Sequence, residues 1–373
     1  MSKVIFGDVV RRANTKEDRH NTDKIYYVGG EHIESNEVLI ENRGLIEGST
    51  IGPMFYFGFK AGDVLFVTRN PHLRKAGMVT FDGICSEKTL VLETKDETVL
   101  LQRYLPFIMQ SDHFWSYMET HKSGSVNFFI NWSTLEKYEF ELPCIEKQES
   151  LANVLWAVNT CKRSYRDLSK KTDELLKSQF AELASDENDF PQVKLKELLV
   201  QNKATERINE PQKEKLISVA LYGKGISQRD IGNDVLKPFS GVRIKEGQFV
   251  YSRIWARRGA LGLVPSHLDG AVVTNEFPTF DINNKKVHPI YLLYAVQDEN
   301  FLGQIDMSSM GSTSKQRIKE STFLEYTICL PPIEKQKQFA NNVMSGKKAK
   351  EALDQAISNL VDLERSILVE NHI

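Results

Sequence analysis

The stretch LPPIEKQKQFA (residues 330–340) occurs a second time in the same chain, as LPCIEKQESLA (residues 142–152). The marker prolines Pro143 and Pro331 lie 188 residues apart (331 minus 143). Each copy is followed by a long stretch with helical hydrophobic periodicity. An internal repeat of this kind determines the architecture of a chain, so further matches near the same offset are expected.

The rest of the chain repeats in the same order. KAGDVLFVTR (60–69) corresponds to KEGQFVYSRI (245–254), and GSVNFFINWST (124–134) corresponds to GSTSKQRIKEST (311–322). The offset drifts by a few residues, as insertions in loops would cause. The sequence therefore predicts a duplicated chain.

Each copy has a mixed part and a helical part. The mixed parts, residues 1–143 and 190–331, alternate short apolar runs with Gly-Asp, Asp-Gly and Asn-Pro steps, a pattern typical of short strands and turns. Residues 99–120 and 288–297 are predicted helices inside them. The helical parts are residues 144–189, which include a short polar link, and residues 332–373.

Both helical parts carry an apolar seam with steps of three and four residues. In the first copy the predicted seam is Leu151, Leu155, Val158, Cys161, Tyr165, Leu168, Thr172 and Leu175. In the second it is Phe339, Val343, Leu353, Ile357, Leu360 and Ile367, with gaps at Gly346 and Lys350. We expect an α+β protein in which the two helices pair as an antiparallel coiled coil and join two similar mixed α/β domains with pseudo-two-fold symmetry. The alternative is that each helix packs only on its own domain.

The composition limits the class of protein. The 373 residues are 41% hydrophobic and 26% charged with a net charge of −2, so the chain can build two or three domains and is not a non-specific nucleic-acid coat. The cysteines form no CxxC pair, which favours reduced thiols. The first residues contain no apolar segment typical of a signal peptide, and runs such as FYFGF (55–59) are too short to cross a bilayer. We expect a cytoplasmic protein with no membrane contact.

Polar and basic residues stand at equivalent places in the two mixed parts. Residues 67–77 and 251–262 supply Arg69, Asn70, His72, Arg74 and Lys75, and Arg253, Trp255, Arg257 and Arg258. Residues 121–129 and 310–321 supply Lys122, Ser123, Ser125 and Asn127, and Ser312, Thr313, Lys315, Gln316 and Arg317. A third pair of Gly-rich loops, residues 29–35 and 222–230, adds Lys224, Gln228 and Arg229. Such side chains bind phosphates and base edges, and two heads suit the two halves of a duplex site.

Each cluster also has a plainer interpretation. A single basic loop is more often solvated surface, and Trp255 is as easily a core residue as a base contact. The sequence contains no GxxxxGK[ST], HExxH or GxSxG motif, so it offers no evident catalytic centre. Asp281 with Lys285 and Lys286 could suggest a nuclease, but the first copy lacks an equivalent and a surface turn explains them better.

The repeated Leu-Pro motif resembles the specificity (S) subunits of type I restriction–modification enzymes, in which a Leu-Pro-Pro-hydrophobic-Glu-x-Gln run closes a variable domain before a long helix. The second copy matches fully, and the first has Cys144 in place of the second proline. The KxGD-aliphatic run at 60–65 is similar to the family as well, and the resemblance covers essentially the whole chain.

The resemblance implies a non-catalytic, DNA-binding subunit with two target recognition domains that read the halves of a bipartite site in double-stranded DNA. The paired helices would set the spacer length and dock two modification (methyltransferase) subunits, which restriction (motor-nuclease) subunits would join. S-adenosylmethionine, ATP and Mg would belong to those partners, and this chain would need no cofactor or metal. Polar residues such as Lys162, Arg163, Arg166, Lys170 and Lys171 would face partners, DNA or solvent. An orphan or type II-like methyltransferase system, a compact methyltransferase or nuclease, and a protein-binding adaptor are the alternatives.

Overall fold

A computed structural model describes residues 2–185, 189–232, 236–308 and 317–371. The chain divides into two compact units, and each unit contains part of each long helix. Unit 1 is Met1–Asp167 with Leu353–Ile373, and unit 2 is Leu168–Ala352. We call the non-helical body of unit 1 head 1 and that of unit 2 head 2.

Head 1 contains eleven strands and four short helices in its described residues. The strands are β1 (Ser2–Ile5), β2 (Val10–Ala13), β3 (Tyr26–Val28), β4 (Leu39–Ile40), β5 (Gly44–Leu45), β6 (Phe55–Phe59), β7 (Val64–Val67), β8 (Ala76–Val79), β9 (Gly83–Ser86), β10 (Thr89–Thr94) and β11 (Glu139–Leu142). The helices are α1 (Phe6–Val9), α2 (Leu105–Gln110), α3 (Asp112–His121) and α4 (Trp132–Leu135). The strands form the ribbon β1-β11, the sheet β2-β10-β7-β8-β4 and the sheet β5-β3-β9-β6.

Head 2 follows a first long helix, α5 (Ile145–Leu183), and repeats the plan of head 1. Its strands are β12 (Gln192–Lys194), β13 (Leu199–Gln201), β14 (Thr205–Ile208), β15 (Ile217–Val219), β16 (Ile226–Gln228), β17 (Phe239–Arg243), β18 (Phe249–Tyr251), β19 (Leu261–Leu263), β20 (Val272–Val273), β21 (Thr279–Ile282) and β22 (Thr327–Cys329). Its helices are α6 (Pro289–Ala295), α7 (Glu299–Ser308) and α8 (Glu320–Phe323), and the second long helix is α9 (Ile333–Glu370).

The duplication predicted from the sequence is visible in the strand order. The ribbon β12-β22 repeats β1-β11, and the sheet β13-β21-β18-β19 repeats the order β2-β10-β7-β8. The second sheets differ, because head 2 has β14-β17-β20 and the hairpin β15-β16 where head 1 has a four-stranded sheet. In both heads the first strand, β1 or β12, pairs with the last strand, β11 or β22, which leads into a long helix.

The helix predicted at residues 99–120 is two helices. Residues 99–104 are not helical, since α2 begins only at Leu105. Ser111 separates α2 from α3. The Ser111 hydroxyl accepts a hydrogen bond from the Phe114 amide, so it caps α3 in the manner expected of serine. The prediction failed because hydrophobic periodicity continues through a capping residue that interrupts the backbone.

The long helices begin within a residue or two of the positions that the Leu-Pro motifs predict. The Pro143 and Pro331 rings lie at their entries, where a missing N–H costs least. The motif glutamines then fix each helix to its head. Fully buried Gln148 donates through Nε2 to Val99 O (2.8 Å) and Pro143 O (2.9 Å) and accepts at Oε1 from the Leu101 amide (3.1 Å).

Gln336 repeats this arrangement in unit 2. It is also fully buried, donates to Pro331 O (2.7 Å) and Lys286 O (3.3 Å), and accepts from the His288 amide (2.8 Å). Burial, and secondarily Lys337, lower the pKa of His288, which keeps its ring neutral so that Nδ1 accepts from the Ile290 amide. We call the two glutamines the clamp glutamines, because each satisfies three backbone groups in a dry site.

Nine seam positions are buried or half-buried in each long helix, and the two sets are related by the offset of the Leu-Pro motifs. In α5 they are Leu151, Leu155, Val158, Lys162, Tyr165, Ser169, Thr172, Leu176 and Phe180. In α9 they are Phe339, Val343, Gly346, Lys350, Leu353, Ile357, Leu360, Glu364 and Leu368. The steps alternate between three and four residues almost throughout, which is a heptad pattern.

The contacts between the helices run in opposite chain directions in unit 2. An ideal Cβ on Gly346 would lie 3.0 Å from Leu176 Cδ1, whereas Phe339 packs on Phe180, further along α5, with ring centroids 5.8 Å apart. In unit 1, Lys162 of α5 pairs with Glu364 of α9.

The predicted seam of α5 was correct at Tyr165 and Thr172 but wrong at three other positions after Val158. Cys161, Leu168 and Leu175 are exposed, and the buried row runs instead through Lys162 and Leu176. Lys162, which the sequence placed on an outward polar face, is 4% exposed. Hydrophobic periodicity does not identify Lys162 as a seam position, because the burial of its charge depends on Glu364, which lies 202 residues away in the chain.

Candidate nucleic-acid interface

Three loops meet in head 1. We call residues 67–77 the basic turn, residues 121–129 the Gly-Ser loop and residues 29–35 the glycine loop. The basic turn and the Gly-Ser loop are joined where the Asn70 amide donates to Phe128 O (2.9 Å). Lys75 Nζ donates to Gly30 O (2.6 Å) and the Asn36 amide donates to Arg74 O (3.1 Å), which attaches the glycine loop. Loops that were far apart in the sequence therefore form one surface.

The equivalent loops meet in head 2. Here the basic turn is residues 251–262 and the glycine loop is residues 222–230. The Tyr222 amide donates to Arg258 O (2.7 Å) and the Gly223 amide to Gly259 O (3.0 Å). The Ile318 amide donates to Arg253 O (2.9 Å), so the described end of the Gly-Ser loop (310–321) reaches the same turn. The predicted residues Ser312, Thr313, Lys315 and Gln316 lie outside the described residues.

The two basic turns share a left-handed backbone position. In head 1 a 3-10 turn, Pro71–Leu73, ends at Arg74 with φ of 48°, and in head 2 the turn Ala256–Arg258 ends at Gly259 with φ of 71°. Glycine adopts this conformation freely, whereas an L side chain is strained there. Head 1 therefore keeps an arginine at a position where its own repeat has a glycine, and Asn70 in the same turn also has a positive φ of 52°.

The strain at Arg74 gives a prediction. Both Arg74→Ala and Arg74→Gly lose the ion pair to Asp112. The alanine variant keeps the backbone strain at this position, whereas the glycine variant removes it. We expect Arg74→Gly to be more stable than Arg74→Ala by about 1 kcal/mol, the reverse of the usual order. Thermal unfolding of both variants measures this, and a more stable alanine variant would contradict it.

Most of the cations in head 1 have partners. Arg74 pairs with Asp112 (2.7 Å), and Lys122 pairs with Glu119 (2.6 Å) and lies over the Phe128 ring. Arg69 lies over the Phe129 ring, 5.7 Å from its centroid. The remaining predicted residues, His72, Ser123, Ser125 and Asn127, are exposed.

The cations in head 2 are less neutralised. Arg253 is half-buried and pairs with Glu320, and Arg317 pairs with Glu276 (3.1 Å). In the described part of the chain no carboxylate pairs with Arg257 or Arg258, and the Arg258 guanidinium lies 5.5 Å from the ring centroid of half-exposed Trp255. Lys224, Gln228 and Arg229 of the glycine loop are exposed as well. Among the residues that the structure describes, head 2 therefore presents cations without carboxylate partners around its basic turn.

A buried tyrosine supports this surface from below. Tyr251, at the start of the basic turn, is fully buried, and burial raises the pKa of its hydroxyl. The protonated hydroxyl donates to Ile318 O (3.0 Å), and its ring stacks on Phe323 with centroids 4.1 Å apart. The end of the Gly-Ser loop is thus fixed to the head core.

A large cleft borders the basic turn of head 1. Its volume is about 1450 Å³, and His72 and Arg74 line it together with Arg166 of α5 and Arg365 of α9. Glu37 pairs with Arg166 (2.7 Å), and Asp112 lies between Arg74 and Arg365 (3.5 Å to Arg365). These acidic partners could not be predicted from the sequence, because they lie far from the arginines in the chain.

Among the residues that the structure describes, no three His, Cys, Asp or Glu side chains come together as metal ligands do. The helices in the described ranges include none that is both long and apolar enough to span a membrane.

The comparisons with known proteins identify the fold. One match is a chain of a structure on complex assembly and conformational transition of the type I R-M system, with a TM-score of 0.56 and 17% identity, covering 99% of this chain and 96% of that one. Another is the S subunit of a type I restriction–modification system from M. genitalium, with a TM-score of 0.59 and 12% identity, covering 98% and 94%. No family model and no curated protein matches the sequence. The chain has the fold of type I restriction–modification S subunits over nearly its whole length.

Proposed function

We propose that this chain is the DNA sequence-recognition (S) subunit of a type I restriction–modification complex. The observation that carries the proposal is that the same loops converge in both heads and bear cations at equivalent places. A surface built twice in one chain suits a target with two parts. Since the two surfaces differ in sequence, the target would be an asymmetric bipartite site in duplex DNA.

Each head would read one half-site through its basic turn, Gly-Ser loop and glycine loop. The cations of head 2 around Arg257 are the best placed to bind phosphate or guanine, because they lack carboxylate partners among the described residues. In head 1 the retention of Arg74 against backbone strain supports a role for its side chain, since strain persists mainly where it serves function.

The long helices would pair as an antiparallel coiled coil and set the length of the unread spacer. The equivalent seam positions of α5 and α9 and the contacts between them in each unit support this arrangement. The clamp glutamines support it too, because a ruler needs a rigid attachment at each head.

The outer surface of α5 offers a docking site for the modification subunits. Val154, Cys161, Leu168 and Leu175 recur at seven-residue intervals on one face, and all four are exposed, with Leu175 at 56%. An exposed apolar row at heptad spacing is typical of a surface that another helix covers. Arg163 and Arg166 are not available there without cost, because Glu41 and Glu37 of head 1 hold them.

In this proposal the chain itself catalyses nothing and holds no cofactor. S-adenosylmethionine, ATP and Mg would bind to the modification and restriction subunits. An orphan or type II-like methyltransferase system would use the same chain without the restriction subunits. A protein-binding adaptor is the competing function, since the apolar row of α5 would bind a partner protein in an adaptor as well as in an S subunit.

Co-expression with a methyltransferase subunit encoded beside this chain, followed by genome-wide methylation mapping, tests the proposal. We expect one methylated motif with two short half-sites around a spacer of fixed length. A stable complex that adds no methylation would favour the adaptor.

Arg257→Ala with Arg258→Ala tests head 2 specifically. We expect methylation of the intact motif to fall at least tenfold, because loss of good base or phosphate contacts costs about 1–3 kcal/mol each. DNA binding should also depend less steeply on salt. The matched control is Lys194→Ala with Lys196→Ala, which removes the same charge beside the ribbon β12-β22, where both lysines pair with Glu325 (2.8 Å each). Equal effects of the two double variants would remove the arginines from the recognition surface.

A further inference from the structure

A polar layer interrupts the apolar seam between the long helices in unit 1. Lys162 is 4% exposed and forms an ion pair with Glu364, whose side chain is 14% exposed. One turn earlier, Asn159 is 1% exposed, and neither polar atom of its amide has a partner among the described residues. Lys162 and Glu364 therefore form a polar layer in the seam beside the apolar Leu155 and Leu368, which belong to one core cluster.

This layer is not expected to increase the free energy of unfolding more than apolar residues would. A buried ion pair often contributes no more than an apolar pair of the same volume, because both charges lose their water. Breaking such a pair is strongly destabilising, however, since one charge remains buried alone. The layer thus penalises every arrangement of the helices that separates Lys162 from a carboxylate.

The sequence around Glu364 makes this penalty selective. If α9 slid by one turn or one heptad in the direction of either end, Lys162 would face an apolar residue in most registers. These residues are Ile357, Leu360, Val361, Ile367 and Leu368. A purely apolar heptad seam has no such preference, because it looks alike after every seven residues.

A second lysine at the equivalent seam position forms a weaker contact. Lys350 pairs with Asp173 (2.5 Å) in unit 2, but the two side chains are 31% and 50% exposed. Solvent screens an exposed pair, so this contact adds little to the selection of a register. It provides a matched control with the same chemistry in a different environment.

We infer that the buried layer of Lys162 and Glu364 fixes the register of α5 against α9. If the proposed function holds and the helices set the spacer, the layer is a specificity determinant of the DNA site. It acts without contact with DNA, through the helices alone.

Disulfide trapping measures the register in the full chain without DNA or partners. Thr172→Cys with Gly346→Cys reports the observed register, because an ideal Cβ on Gly346 lies 3.3 Å from Thr172 Cγ2. Thr172→Cys with Leu353→Cys reports a shift of one heptad in one direction, and Tyr165→Cys with Gly346→Cys reports the other. Exposed Cys144 and Cys161 are changed to Ser throughout, and Cys85 stays because burial raises the pKa of its thiol and keeps it inert.

The layer variant combines Lys162→Leu and Glu364→Leu. We expect the yield of a shifted disulfide to rise at least tenfold over its yield with the layer intact. The control Lys350→Leu with Asp173→Leu should change it less than twofold. An unchanged register in the layer variant, or an equal shift in the control, overturns the inference.

A charge exchange, Lys162→Glu with Glu364→Lys, covers the case in which the layer variant does not fold. It restores the pair in the same register, so we expect only the 172–346 disulfide, whereas Glu364→Leu alone should raise the shifted products. No difference between these two variants also overturns the inference.

Methylation mapping separates this inference from the proposed function. A layer variant that shifts in the trapping assay should methylate motifs with additional spacer lengths. If it shifts but methylates a single unchanged spacer, the register inference stands and the ruler function fails.

Discussion

Gln336→Leu is expected to lower the free energy of unfolding by about 3–5 kcal/mol, because three backbone groups lose their partner at about 1–3 kcal/mol each, with partial relaxation. These are the Lys286 and Pro331 carbonyls and the His288 amide, and they are bound by a side chain that is itself fully buried. Gln148→Leu should have a similar effect in unit 1. Denaturation followed by circular dichroism measures both.

The matched control is Gln338→Leu, an exposed position two residues further along the same helix. It changes the same side chain in the same way and should alter stability by less than about 0.5 kcal/mol. Gln336→Glu should be damaging as well, because a carboxylate cannot donate to the two carbonyls. If Gln336→Leu is as stable as Gln338→Leu, the clamp does not hold head 2 to its helix.

Shortening both long helices together is expected to shorten the spacer of the methylated motif by one or two base pairs. The matched deletion removes residues 168–171 and 356–359, which correspond in the repeat and lie between the Lys162 and Lys350 cross-links and their partners. Four residues remove about 6 Å and turn a helix about 40° beyond a full turn. One base pair turns DNA by a similar angle, about 35°.

Replacing the same eight residues by alanine controls for the loss of side chains, since it leaves the length unchanged and should leave the spacer unchanged. Methylation mapping reads both variants. A deletion variant that methylates the original motif would show that the helices are not the ruler, whereas an alanine variant with an altered spacer would point to side chains rather than length.

The parts of the fold that depend on local sequence were predictable. The Leu-Pro motifs gave the starts of α5 and α9, and the repeat gave two heads with related strand order, because proline chemistry and duplication act over short stretches. Ser111 was missed because a cap interrupts the backbone without interrupting the hydrophobic pattern. The seam of α5 was lost at Lys162, whose burial is explained only by Glu364.

The candidate interface was predictable as a list of residues but not as a surface. That the glycine loop meets the basic turn follows from backbone hydrogen bonds such as Asn36 to Arg74 O and Tyr222 to Arg258 O, for which side chains give no signal. The partners of the arginines were equally hidden. Glu320 and Asp112 stand far from Arg253 and Arg74 in the chain, so only the tertiary structure separates neutralised cations from available ones. Whether these loops bind DNA stays a prediction.

The ribbons β1-β11 and β12-β22 have a consequence for how such a chain can change over evolutionary time. In each head the first strand lies beside the last, so the chain enters and leaves at nearly the same point. A different head with adjacent ends could replace either one with little extra loop-closure entropy. The clamp glutamine and the long helix lie outside the exchanged segment, so a new head needs only to offer backbone groups at the places of Val99 and Leu101, or of Lys286 and His288. The chain is therefore organised so that a new head can be acquired by recombination in one step, without rebuilding the helices that carry it.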